Sequence, residues 1–181
     1  MTERIEISRD IAASPEAVYA AISDVTRMGE WSPECHRCEW KDGATGPAEG
    51  VWFIGHNRNG DHEWTTQGKV VVAEPGREFA FECSMMDFHY ATWGYRIEPT
   101  ETGCRVTEWS EDLRPESALE YSKKLSGWLQ FGASPRAIEA VTIGTIAARM
   151  STSASRIRRE IAGIDGATDL EDDYRVGRPE M

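Results

Sequence analysis

The chain has 181 residues and a mass of 20.3 kDa, the size of one domain with a short tail. Hydrophobic residues make up 40%, charged residues 28% and mean hydropathy is −0.52, a water-soluble composition in which no apolar run approaches the ~18 residues that cross a bilayer. The net charge of −11 repels phosphate backbones and anionic lipid surfaces, which argues against nucleic-acid partners and stable membrane insertion. The start, Met1-Thr-Glu-Arg-Ile-Glu, has no apolar leader, so a cytoplasmic location is expected, with the four cysteines as reduced thiols.

In chain order, residues 3–11 alternate Ile5 and Ile7 with Glu6 and Ser8, a strand with one wet face. Ser14-Pro15-Glu16 then supplies a helix cap, a proline at the first helical position and an acid at the positive end of the dipole. The apolar stripe from Ala17 to Val25 predicts a helix over 15–26, followed by a short helix or turn holding Met28 and Trp31. Residues 41–50 are Gly- and Pro-rich and form a loop. Beyond it, Asn59-Gly60 predicts a type I′ hairpin turn and Pro75-Gly76 a type II turn. The runs between these turns read as an antiparallel meander of five strands over 51–113, or six with 38–42. Residues 118–129 carry a weaker helical pattern. Ser134-Pro135 repeats the cap-plus-proline signal, and the apolar spacing from Ile138 to Ile161 predicts one long helix over 135–162. Residues 1–163 thus make a single domain, and the acidic, aperiodic 164–181 reads as a disordered tail.

A one-layer sheet must cover its apolar face, and the long helix is the element with the length to do so. The strings IEISRDIAASPEAVYAAISDVTRMGEWSPEC, GHNRNG, VVVAEPGREFAFE and ATWGYRIEPTETGCRVTE, with a last helix ending near SRIRREI, resemble the START-like, Bet v 1-like superfamily. They are closest to its polyketide cyclase/dehydrase and lipid-transport branch. The resemblance spans residues 3–162. It implies an α+β helix-grip fold, in which a curved antiparallel sheet of six or seven strands wraps a long C-terminal helix around an apolar cavity. It supplies no catalytic motif.

Strand parity says which side chains face that space. Phe53 and Asn57 share one face of their strand, with Trp52 and Ile54 on the other. Trp64 and Thr66, Phe79 and Phe81, and Trp93 and Tyr95 form further inward sets, and Val141 and Thr145 face them from the helix. Glu108 falls on the apolar side of the last strand, where a carboxylate needs a partner or a proton, and Tyr95 or Arg96 is a candidate partner. These residues are the expected binding site for a small apolar ligand, lipid-like or polyketide-like. A cyclase/aromatase enzyme would use the same cavity, with Asn57, Glu108, Tyr95, Arg96 and His89 as candidate proton-moving groups. A third reading is an interaction module with a vestigial cavity. Outward-facing Trp52 and Ile54, with Trp40 nearby, would mark an interface and point to a homodimer.

Other chemistry finds little support. Cys35-His36-Arg37-Cys38 with His56 or His62 counts four potential zinc ligands, but the second pair is poorly spaced for a structural site. A redox CxxC opens a helix after a strand, whereas this one follows Pro33 and leads into a strand. The two cysteines therefore read as buried thiols, with no metal and no cofactor expected. No nucleophile elbow, P-loop or dinucleotide fingerprint is present.

Overall fold

The computed structural model describes residues 4–85, 88–114 and 142–151. The predicted disordered tail, Val141, the 118–129 pattern and most of the predicted long helix lie outside those residues. Strand β1 (Arg4–Ile11) leads to helix α1 (Pro15–Ile22) and a 3-10 segment (Val25–Glu30). Strands β2 (Cys35–Trp40), β3 (Trp52–Asn59), β4 (His62–Glu74), β5 (Glu78–Met85), β6 (Phe88–Thr100) and β7 (Gly103–Asp112) follow. Residues 142–151 are helical and are labelled α2. The result is an α+β fold with a curved, wholly antiparallel sheet of seven strands in the order β1-β7-β6-β5-β4-β3-β2.

Helix α1 begins as the sequence predicts: the Ser14 hydroxyl accepts from the Ala17 N–H at 3.3 Å, and Pro15 follows. It ends at Ile22, four residues short of the expected 26. Asp24 stops it, because its carboxylate accepts from both the backbone N–H and the hydroxyl of Thr26 and so caps the tighter 3-10 turn instead. The hairpin turn also differs. Asn59 pairs with His62, so the turn residues are Gly60-Asp61, and φ is positive at Gly60 (+59°) but not at Asp61. A glycine at the first central position is the type II′ pattern, not type I′.

Three registers contain an extra residue, each a β-bulge: His36 in β2, Val71 in β4 and Tyr90 in β6. The bulge at His36 moves the start of β2 to Cys35, three residues before the predicted 38. The core runs along the concave face, where Val18, Val25, Val70, Phe79, Val106 and Ile143 have no exposure. On the convex face Trp109 lies across Gly94 and is capped by the Arg4 guanidinium, 4.0 Å from the ring centroid. Trp52 and Ile54 also point outward, but both are half-buried rather than exposed. Lys41 and Lys69 flank the Trp52 ring at 5.9 Å each, their stems and charges covering apolar surface.

Candidate functional site

In an antiparallel sheet, residues directly opposite one another share a face. The registers therefore set the concave wall row by row. Cys38, Gly55 and Thr66 stand in line across β2, β3 and β4. Phe53, Gly68 and Cys83 follow across β3, β4 and β5. Phe81 faces Trp93, and Tyr95 faces Glu108. Gly68 is filled by its neighbour: a Cβ there would stand 2.1 Å from Cζ of Phe53, so the Phe53 ring lies across it. That ring packs edge-on to Phe81 at 5.2 Å and to Trp40 at 5.9 Å. Gly55 lets three polar groups approach the backbone: Thr66 Oγ1 lies 3.0 Å and the two thiols 3.6 Å from where its Cβ would be. Between this wall, the 3-10 segment and Thr142 of α2 lies a cavity of about 120 Å³.

The cavity is apolar along its aromatic wall and carries polar groups around it. Glu108 is 1% exposed, and the Tyr95 hydroxyl donates to its Oε1 at 3.1 Å. Asn57 is nearly buried, and its side-chain N–H donates to Thr66 Oγ1 at 3.3 Å. At the half-buried rim, burial pushes the Glu34 carboxyl above its ordinary value. Tyr90 is pushed up as well, first by burial and then by the neighbouring Cys83. The Cys83 thiol is raised to about 12 by burial. Cys35 and Cys38 lie with their sulfurs 3.2 Å apart. This contact holds the Cys35 thiol below its ordinary value, while the same contact and burial push Cys38 up.

Of the residues expected from sequence, Phe53, Asn57, Trp64 and Thr66 line the cavity, as do Phe81, Trp93, Tyr95 and Glu108. Phe79 does not. It is fully buried behind the wall, 5.8 Å from the Phe81 ring. Thr145 is half-buried on α2 but outside the lining, and Thr142 takes that place. Tyr95, not Arg96, partners Glu108. Arg96 points outward to Glu6 at 3.7 Å. His89 is committed to the Ala91 carbonyl and the Thr92 hydroxyl, away from the cavity. The sequence did not point to Met28, Ser32, Glu34, Cys35, Cys38 and Tyr90 as lining residues. Among the described residues no cluster of three or more His, Cys, Asp or Glu is placed to hold a metal ion.

The model of the polyketide cyclase/dehydrase and lipid transport family matches residues 2–161. The chain belongs to this family. It is similar to a polyketide cyclase-like protein of Corynebacterium glutamicum, whose solution structure has 31% identity and a TM-score of 0.50 and is matched over 93% of this chain and 99% of that one. It shares its fold with the di-domain ARO/CYC StfQ from the steffimycin biosynthetic pathway, at 15% identity and a TM-score of 0.66, over 91% of this chain and 53% of StfQ. A Staphylococcus aureus protein of unknown function has the same fold at 15% identity and a TM-score of 0.61, over 86% of this chain and 97% of that one. No curated protein matches the chain. Among the described residues no helix is long and apolar enough to cross a membrane.

Proposed function

We propose that the protein binds a small hydrophobic or aromatic molecule in the cavity between the sheet and the C-terminal helix, in a helix-grip arrangement. The observation that carries this is one hollow combining an aromatic wall (Phe53, Phe81, Trp93) with a hydrogen-bonded polar end (Tyr95 and Glu108). Such a site gains affinity from apolar burial and orientation from a few polar groups. The contribution of the C-terminal helix is supported by Thr142 on the lining and by the buried Ile143 and Ile146. The volume of about 120 Å³ is below the ~300–1,000 Å³ of drug-sized pockets and near the ~150 Å³ of an engineered cavity that takes benzene. The enclosed part of the ligand is therefore one aromatic ring or a short acyl segment.

A cyclase/aromatase-type reaction is the second reading. It is favoured by the convergence of ionisable groups in the hollow: Glu108, Tyr95 and the Cys35–Cys38 pair. An interaction module with a vestigial cavity has less support, because the hollow is open rather than filled by side chains. A homodimer through the outer face of β3 also loses ground, since lysines already cover Trp52.

The test is native mass spectrometry of the freshly purified chain, then titration with phenol and toluene followed by tryptophan fluorescence from Trp64 and Trp93. A small-molecule adduct lost on denaturation is expected. Phenol should bind about tenfold or more tighter than toluene through Glu108, and Glu108→Gln should narrow that gap. An unchanged preference in Glu108→Gln would remove Glu108 from the site. Absence of an adduct together with absence of binding by either probe would overturn the cavity reading.

A further inference from the structure

Residues three apart in a regular strand point to opposite faces. Cys35 and Cys38 are three apart, yet both are buried on the concave face, at 5% and 4% exposure, while His36 and Arg37 between them are exposed. The bulge at His36 causes this, since one extra residue resets the alternation. Gly29 holds the bulge in place, because a side chain there would meet the His36 carbonyl oxygen at 2.4 Å. The sulfurs are thereby brought to 3.2 Å, and a disulfide bond is about 2.05 Å long, so closing it asks for an approach of about 1 Å. Both thiols line the cavity, and the Met28 sulfur lies 3.8 Å from Cys38 Sγ. Cys83 is also on the lining but belongs to no such close pair, and Cys104 lies in the core away from it.

We propose that Cys35 and Cys38 form a reactive dithiol site that reduces a small hydroperoxide entering the cavity and closes to an internal disulfide. The inference stands on the sulfur pair and not on the ligand reading above. In the first step the Cys35 thiolate, its proton given to solvent, attacks the peroxide. A sulfur–oxygen bond forms, the oxygen–oxygen bond breaks, and the leaving group takes up a proton: hydroxide from hydrogen peroxide becomes water, and alkoxide from an organic hydroperoxide becomes an alcohol. Cys35 is then a sulfenic acid. In the second step the Cys38 sulfur attacks that of Cys35. The sulfur–sulfur bond forms, the sulfur–oxygen bond breaks, and the departing hydroxide leaves with the Cys38 proton as water. The sulfur pair loses two electrons and the peroxide gains them. Cys35 is the attacking member because the contact with the Cys38 sulfur, 3.2 Å away, holds its thiol below the ordinary value and favours the thiolate. A cavity of about 120 Å³ admits hydrogen peroxide or a short alkyl hydroperoxide.

The experiment treats the reduced full-length chain with hydrogen peroxide, quenches in denaturant with N-ethylmaleimide and maps tryptic peptides without reductant. Cleavage after Arg27, Arg37 and Lys41 puts Cys35 and Cys38 on separate peptides, 28–37 and 38–41. The expected result is that these two appear linked, two hydrogens lighter than their sum, and separate with dithiothreitol, while Cys83 and Cys104 carry maleimide. In Cys38→Ser the second step is blocked, so dimedone should label Cys35 alone. If Cys35 and Cys38 take maleimide as fully as Cys83 and Cys104 after peroxide, or if Cys35 goes on to sulfinic acid without linking, the proposal is overturned. The wild-type measurement decides even if the variant fails to fold.

Discussion

Glu34 sits half-buried at the cavity rim, where burial pushes its carboxyl above the ordinary value of 4.5. A raised folded-state value in an acid means that folding disfavours the charged form. The penalty is present at neutral pH, fades as pH falls through the folded value, and is gone below the ordinary carboxylate range. Glu34→Gln is therefore expected to be more stable than the parent at neutral pH, with the difference shrinking toward zero near pH ~4. Paired urea midpoints at the two pH values check this, and a difference constant with pH would show that the carboxyl charge is not its source. Residue identities on the regular strands were legible from parity alone, as for Phe53, Asn57, Phe81 and Glu108. The partner of Glu108 was not. Tyr95 and Arg96 are adjacent and point to opposite faces, so a one-residue uncertainty in register exchanges them.

At the scale of elements, the strands and their order followed from turn chemistry and alternation, and the departures follow from bulges. Cys35 and Tyr90 face inward because His36 and Tyr90 are the extra residues of their pairings. No alternation pattern announces such a residue, since the bulge is fixed by what packs on it. For β2 that is the 3-10 segment, whose Gly29 touches the His36 backbone. Gly29→Ala drives a methyl group into backbone that cannot rotate away, so a loss of about 1–3 kcal/mol is expected. Gly46→Ala is the control: nothing lies within 4 Å of its Cβ position and its φ is not positive, so the change should be neutral or stabilising by up to about 1 kcal/mol. Equal unfolding midpoints for the two variants would mean that the segment yields and the bulge is not locked. The start of α1 was legible from Ser14-Pro15, but its end was not, because Asp24 serves a second cap rather than a longer helix.

At the scale of the whole molecule, the cavity draws on nearly every element. The 3-10 segment gives Met28, β2 and β3 give Cys38 and Asn57, β4 gives Thr66, and β7 and α2 give Glu108 and Thr142. The sequence implied such a space by the order of its elements. Its volume depends on how far rings such as Phe53 lie across glycines such as Gly68, which no one-dimensional pattern encodes. A ligand that touches all these elements binds the folded state and not the unfolded chain, so it raises stability by about 2.7 kcal/mol at a hundred times its dissociation constant. The volume makes this selective. Phenol, 1-naphthol and 9-phenanthrol present the same hydroxyl on one, two and three rings, while the cavity of about 120 Å³ has space for one. Thermal unfolding with each compound is expected to show an upward shift with phenol, a smaller one with 1-naphthol and none with 9-phenanthrol. The opposite order, with shifts growing as rings are added, would mean that the wall opens on binding. The aromatic contacts of Phe53 with Phe81 and Trp40 would then be the contacts that break.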